Sequence, residues 1–264
     1  MSAGTTGRGT MGALVPGAAS GTVSPGTVDA TVPGAASATL MLLLADARLP
    51  AGAHVSSNSV EAGLRNGLTP AEVAAYMRAR MRTVVRVEAG AAVVTRHVLV
   101  AEDAAGAEEA CADPAAVLTT VTAEWAARTP SPALREIAEV LGAGLRRVAV
   151  ALWPGLAGVL PRRGTPRPVV LGAIAAAAGI PAVDLVRIVA YDDAQTVAAA
   201  VLKLEPMDPI TATGWVLEAC TAFEDSVADL ATLTAPAAIP AAGAPLIEVW
   251  AQAQSALPRR LFRA

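Results

Sequence analysis

The chain reads as an all-α protein, one multi-helix domain of about eight to ten helices behind a disordered leader. Three observations point there. Hydrophobic residues make up 54% of the 264 residues while aromatics supply only 3%, so the core is built from Ala, Leu and Val, which suits closely packed helices. Helix-start signals repeat one grammar, a capping residue followed at once by proline, whose missing N–H costs nothing in a first turn. Alternating β-branched runs bounded by Asn-Gly or Asp-Gly turns are missing, so a sheet has no support.

Residues 1–37 are mostly Gly, Ser, Thr and Pro with no helical or strand period, and read as a disordered leader to a helical domain over 38–264. Ordered pattern starts at Thr39 with Leu40–Ala45, a short apolar helix that stops at Asp46 and Leu49-Pro50. A turn-rich stretch follows from Ala51 to Ser59. Thr69-Pro70-Ala71-Glu72 is a capping box, and Val73, Met77, Val84 and Val85 form an apolar stripe running toward His97. Asp113-Pro114 opens a helix through about Ala127, and Ser131-Pro132 another that carries Leu134, Ile137, Leu141, Leu145 and Val148. Val169–Ala178 is a helix with Gly179 as its C-cap, and Pro181–Leu204 restarts it. Asp208-Pro209 opens the next, with Leu217, Phe223 and Leu230, and a short helix over Leu246–Ser255 closes the series.

Composition excludes several functions. A net charge of −3 gives no general attraction for a phosphate backbone, so nucleic acid is not an expected partner. Mean hydropathy is +0.49, yet Val148–Leu160 is broken by Pro154 and Val169–Val183 by glycines and Pro181, so both read as core rather than membrane spans. No apolar run behind basic residues marks the N-terminus for export, and the cytoplasm is the expected location. Cys111 and Cys220 lack any paired spacing and read as buried free thiols.

Sites for chemistry are equally sparse. His54 and His97 are the two histidines, and neither sits at metal-ligand spacing. His97 reads as a histidine of a last helical turn. His54, beside Ser56, Ser57 and Ser59, has no nucleophile elbow or third catalytic member near it. Asp192-Asp193 invites comparison with magnesium-binding carboxylate clusters, but no second cluster matches it, and the pair reads as solvated surface acids. A phosphate-cradling loop is absent. No catalytic residue, metal ligand or cofactor is therefore expected. The alternatives are a helical Mg2+-dependent enzyme built on Asp192 and Asp193 and a helical ligand-binding regulator.

Three further stretches stand out, in order. The first is Leu42–His54 with its Leu49-Pro50-Ala51-Gly52, continuing to Ser57 and Val60-Glu61-Ala62-Gly63. The second runs from Leu134-Arg135 through Leu152-Trp153-Pro154 to Pro168–Gly172 and Ala178-Gly179-Ile180-Pro181. The third is the carboxyl end, Leu257-Pro258-Arg259-Arg260-Leu261-Phe262-Arg263-Ala264. Together they resemble the UreF family of urease accessory proteins over roughly Thr39 to Ala264. The chain departs from the family pattern at Asn58-Ser59, where a glycine-containing pair is usual, which removes a backbone freedom the turn can need. It departs again at Pro206-Met207-Asp208-Pro209.

The resemblance implies an all-helical homodimer without activity of its own. It would join a UreD/UreH-type accessory protein, recruit the GTPase UreG, and help deliver nickel to the urease apoprotein. Composition adds partner-binding expectations. A Pro/Gly/Ser-rich segment carrying His54 and Glu61 is costly to bury unpaired, so Leu49–Glu61, with Leu49, Pro50, Gly52, His54, Ser57 and Glu61, is expected at a partner or dimer surface rather than in the core. In the tail Arg259, Arg260 and Arg263 surround Leu261 and Phe262, which suits an anchor with a charged rim that is loose until a partner orders it.

Overall fold

The computed structural model describes Met1 and residues 34–46, 49–51, 55–109, 113–258 and 261–262, and among these it contains helices and turns but no strand. Helices α1 (Gly34–Ala45) and α2 (Val60–Arg65) come first, then α3 (Val73–Arg82), α4 (Val84–Glu109), α5 (Pro114–Ala127) and α6 (Pro132–Leu152). The one-turn α7 (Leu156–Val159) precedes α8 (Arg167–Ala177), α9 (Ala182–Leu204), α10 (Pro209–Phe223), α11 (Val227–Ala231) and α12 (Pro245–Ala256). The all-α expectation holds.

The starts lie where the capping residues place them. The Ala115 N–H donates to Asp113 Oδ1 at 3.1 Å and the Ile210 N–H to Asp208 Oδ1 at 2.9 Å, while Ser131 Oγ accepts from Leu134 N–H at 3.4 Å. At the capping box the Thr69 N–H donates to the Glu72 carboxylate at 2.8 Å, closing a single 3-10 turn ahead of α3. Gly179 ends α8 with φ +64°, the left-handed geometry that glycine adopts without steric cost.

The structure differs from the sequence reading at several points, one being that the helix opened at Asp208 ends at Phe223 and Leu230 lies on the separate α11. Helix α1 begins at Gly34 rather than at Thr39, and buried Ser37, assigned to the leader, donates its hydroxyl to Ala178 O at 3.0 Å. The stripe from Val73 toward His97 is two helices, because Thr83 takes φ −127° and ψ −92° and returns its hydroxyl to Ala79 O. Since α4 runs on to Glu109, His97 is an exposed mid-helix residue, not a last-turn histidine. The segment Val148–Leu160 is also less buried than core, with Leu152 exposed at the end of α6. Cys220 is half-buried with a free thiol, its acidity suppressed by burial, and Cys111 lies outside the described residues.

At the centre α4 packs on α8, α9 and α5, while α6 covers the other side of α8. Small residues set the spacing: a Cβ on Gly172 of α8 would stand 2.3 Å from Ala92 O on α4, so the two backbones approach to a distance only glycine allows. Helix α10 lies across α9 and α3, α1 lies on α9, and α12 packs against α2 and α6. This last contact carries the chain's end back to its beginning. Among the described residues no helix is long and apolar enough to cross a membrane.

Candidate functional site

The turn before α2 is built in a conformation that its residues adopt at a cost. Asn58 and Ser59 have φ +50° and +67°, the only non-glycine positive values among the described residues. Asparagine tolerates this region because its short amide bonds locally. Here the Asn58 Nδ2 donates to Asp193 Oδ2 at 2.9 Å and to Asp193 O at 3.2 Å, tying the turn to the middle of α9. The Asn58 carbonyl accepts from the Arg80 guanidinium at 3.2 Å and from the Tyr76 hydroxyl.

Asp193 is therefore not a solvated acid. Arg80 of α3 grips it in a fork, Nε to Oδ1 at 2.8 Å and Nη2 to Oδ2 at 2.6 Å, with both side chains almost wholly buried. Burial works against the guanidinium's charge, but Asp193 outweighs it and holds the proton more firmly than usual. Asp192, on the next position of α9, pairs with Arg167 of α8 at 2.9 Å, and burial is what raises its carboxyl above the ordinary range. The sequence reading of both residues as surface acids fails because each faces an arginine from a different helix. Among the described residues no three His, Cys, Asp or Glu side chains gather as a metal-binding group.

Past the turn, Glu61 is 1% exposed. Its carboxylate accepts four donors. Arg65 Nη2 and the Leu261 N–H reach Oε1 at 2.9 and 2.8 Å, and Gln254 Nε2 and the Phe262 N–H reach Oε2 at 2.8 and 3.0 Å. Burial pushes this carboxyl up, yet the bonds from Leu261, Gln254 and Phe262 and the charge of Arg65 prevail and hold it below the usual carboxylate range. Gln254 on α12 also donates to Phe262 O at 3.1 Å, so both the N–H and the carbonyl of Phe262 are held. Phe262 is 3% exposed, with the Lys203 ammonium 5.2 Å above its ring, whereas Leu261 stands 60% exposed.

These contacts correct two expectations. The Leu49–Glu61 stretch is not a surface segment: Ala51, Ser56, Ser57, Ser59 and Glu61 are buried, Pro50 is exposed, and Leu49 is half-buried. Ser57 is fully enclosed, and its hydroxyl has no hydrogen-bond partner among the described residues. Leu261 and Phe262 are not loose either, since their backbone N–H groups are bonded to Glu61 in the chain alone. Gly52, His54, Arg259, Arg260 and Arg263 lie outside the described residues.

The structure nevertheless unites the first and last stretches. Leu49, Ser56 and Phe262 line one cavity of about 90 Å³, together with Asp192, Arg167 and Lys203. Missed by the sequence reading were Arg80, Gln254 and the bonds that Asn58 makes to Asp193; Glu61–Arg65, four apart on a helix, left a local signal. Among the described residues this arrangement places no nucleophile beside a base. What it does is fix an exposed leucine beside a buried phenylalanine on a surface built from both ends of the domain.

Comparison with known proteins follows the same lines. Residues 68–220 match the family UreF. The chain is 33% identical over 218 residues to the urease accessory protein UreF of Mycobacterium sp. (strain JLS), an alignment covering 80% of this chain and 91% of that one. It is 32% identical over 222 residues to the urease accessory protein UreF of Mycobacterium marinum (strain ATCC BAA-535 / M), with the same coverage. A third relative of that name, from Mycolicibacterium vanbaalenii, is 33% identical over 225 residues.

Proposed function

Since this chain belongs to the UreF family of urease accessory proteins, we propose that it is a non-catalytic scaffold for nickel insertion into urease. In this reading it acts in the cytoplasm as a homodimer, joins a UreD/UreH-type accessory protein, and presents a surface to the UreG GTPase that serves the urease apoprotein. The observation that supports it most directly is the tail: Phe262 and Glu61 are spent on anchoring, which leaves Leu261 held outward at a fixed place. A pre-positioned apolar side chain costs less to dock than one on a free peptide, because its backbone entropy is already lost. Leu49 and Pro50, on the neighbouring segment, belong to the same proposed contact. The magnesium-enzyme alternative has less in its favour, since Arg80 and Arg167 already neutralise the two aspartates it requires.

Leu261→Asp is the test. The residue is exposed, so the variant is expected to melt with the wild-type chain while losing capture of the UreD/UreH-type partner and nickel-dependent urease activation. Undiminished capture by this variant, and by a chain ending at Ala256, would overturn the docking role.

A further inference from the structure

A second cavity, of about 80 Å³, lies on the other side of the Arg167–Asp192 pair and is reached by residues of α3, α4, α6, α8 and α9. It has room for several waters, each needing about 10–15 Å³. Its charged wall is nearly self-neutralising. Arg80 from α3 is paired with Asp193 of α9, and Arg167 from α8 with Asp192 of α9, while α6 contributes only aliphatic side chains such as Leu134, Ile137 and Leu141. From the turn before α2, Ser56 and Asn58 are neutral. The remaining ionisable group is Glu88 of α4, which forms no ion pair among the described residues. Its partner is the indole of fully buried Trp125 on α5, whose Nε1–H donates to Glu88 Oε1 at 2.8 Å.

Both arginines are already committed, so ionising Glu88 leaves one negative charge in the cavity without a counter-ion of its own. We infer that Glu88 is a proton-operated element at the α4–α5 contact: protonated, it leaves the cavity it lines neutral, and ionised, it charges that cavity at a cost to the fold while accepting a stronger bond from the Trp125 indole N–H. The inference stands on this geometry and does not depend on the scaffold role. Burial is the main cause that raises the carboxyl to about 7; the Trp125 bond and the arginines act against it, and Asp193 adds to it. The sign follows from proton counting. The folded chain keeps this proton up to about pH 7 whereas an unfolded chain releases it near 4.5. Stability from the group is thus complete below the unfolded value and is lost as pH rises through the folded one.

The experiment is a pair of pH series on the full chain. Glu88→Gln keeps an acceptor for Trp125 and removes the titration. Between about pH 5 and pH 7.5 the wild-type Tm is expected to fall by about 5 °C relative to Glu88→Gln. Trp125 emission should step near neutral pH in the wild type, and the step should vanish in both Glu88→Gln and Trp125→Phe, which separates it from the other three of the 4 tryptophans. Parallel melting curves, or an emission step that survives Trp125→Phe or never occurs, would overturn the inference. Should Glu88→Gln fail to fold, the wild-type and Trp125→Phe emission series decide the matter alone.

Discussion

Replacing Glu61 by alanine tests whether one carboxylate holds the two ends of the domain together. Bonds to a charged group contribute roughly 1.5–3 kcal/mol each, and two of the four donors are the Leu261 and Phe262 amides. Burying Phe262 adds about 1.5–3 kcal/mol, and ordering the segment from Leu257 to Phe262 costs about 1–2 kcal/mol per residue. Gains and costs are therefore close, so a variant without the carboxylate releases its tail rather than keeping it docked over unpaired donors. Release limits the damage. The expected loss is about 2–3 kcal/mol, or a Tm lower by about 4–12 °C for a domain of this size. The decisive assay is a double-mutant cycle with a chain that ends at Ala256, read by thermal melts. A coupling of about 2 kcal/mol is expected, because in the shortened chain Glu61 has already lost its tail partners. An equal loss in both backgrounds would show that Glu61 acts through α2 and α12 alone, without the tail.

Two further outcomes follow from the same region. Asp193→Asn leaves the buried Arg80 guanidinium without its counter-ion and should lower stability by about 3–5 kcal/mol, measured by urea unfolding; a change below about 1 kcal/mol would mean that water reaches the pair. Ser59→Gly removes a Cβ from a residue at φ +67° and should stabilise by about 0.5–1 kcal/mol; a destabilised variant would show that buried Ser59 contributes through its side chain instead.

Local signals in the sequence led to the right elements wherever the physics is local. Asp113, Ser131 and Asp208 announce helix starts because a cap and its proline act within one turn, and Gly179 announces a stop for the same reason. Thr83 gave no such warning: threonine is tolerated in helices, and the break there belongs to a neighbourhood in which Arg80 turns inward to Asp193. The site was half legible. The resemblance picked out Glu61 and Leu261-Phe262 as separate motifs, and the Asn58-Ser59 departure marked a turn that does require positive φ. That Glu61 binds those two residues was not legible, because a contact spanning 200 positions leaves no period or spacing behind. Asp192 and Asp193 were misread for the same reason, their arginines being far away in the chain.

The clamp at Glu61 also has a consequence for synthesis. Leu261 is made 200 residues after Glu61, and at about 5–20 residues per second the carboxylate waits roughly 10–40 s for the last two of its donors. For most of that time α2 carries an acceptor destined for the interior with Arg65 alone of its four donors already made. A nascent chain therefore cannot complete this part of its interior from the amino end onward, and a product that stops short of Leu261 lacks those two donors permanently.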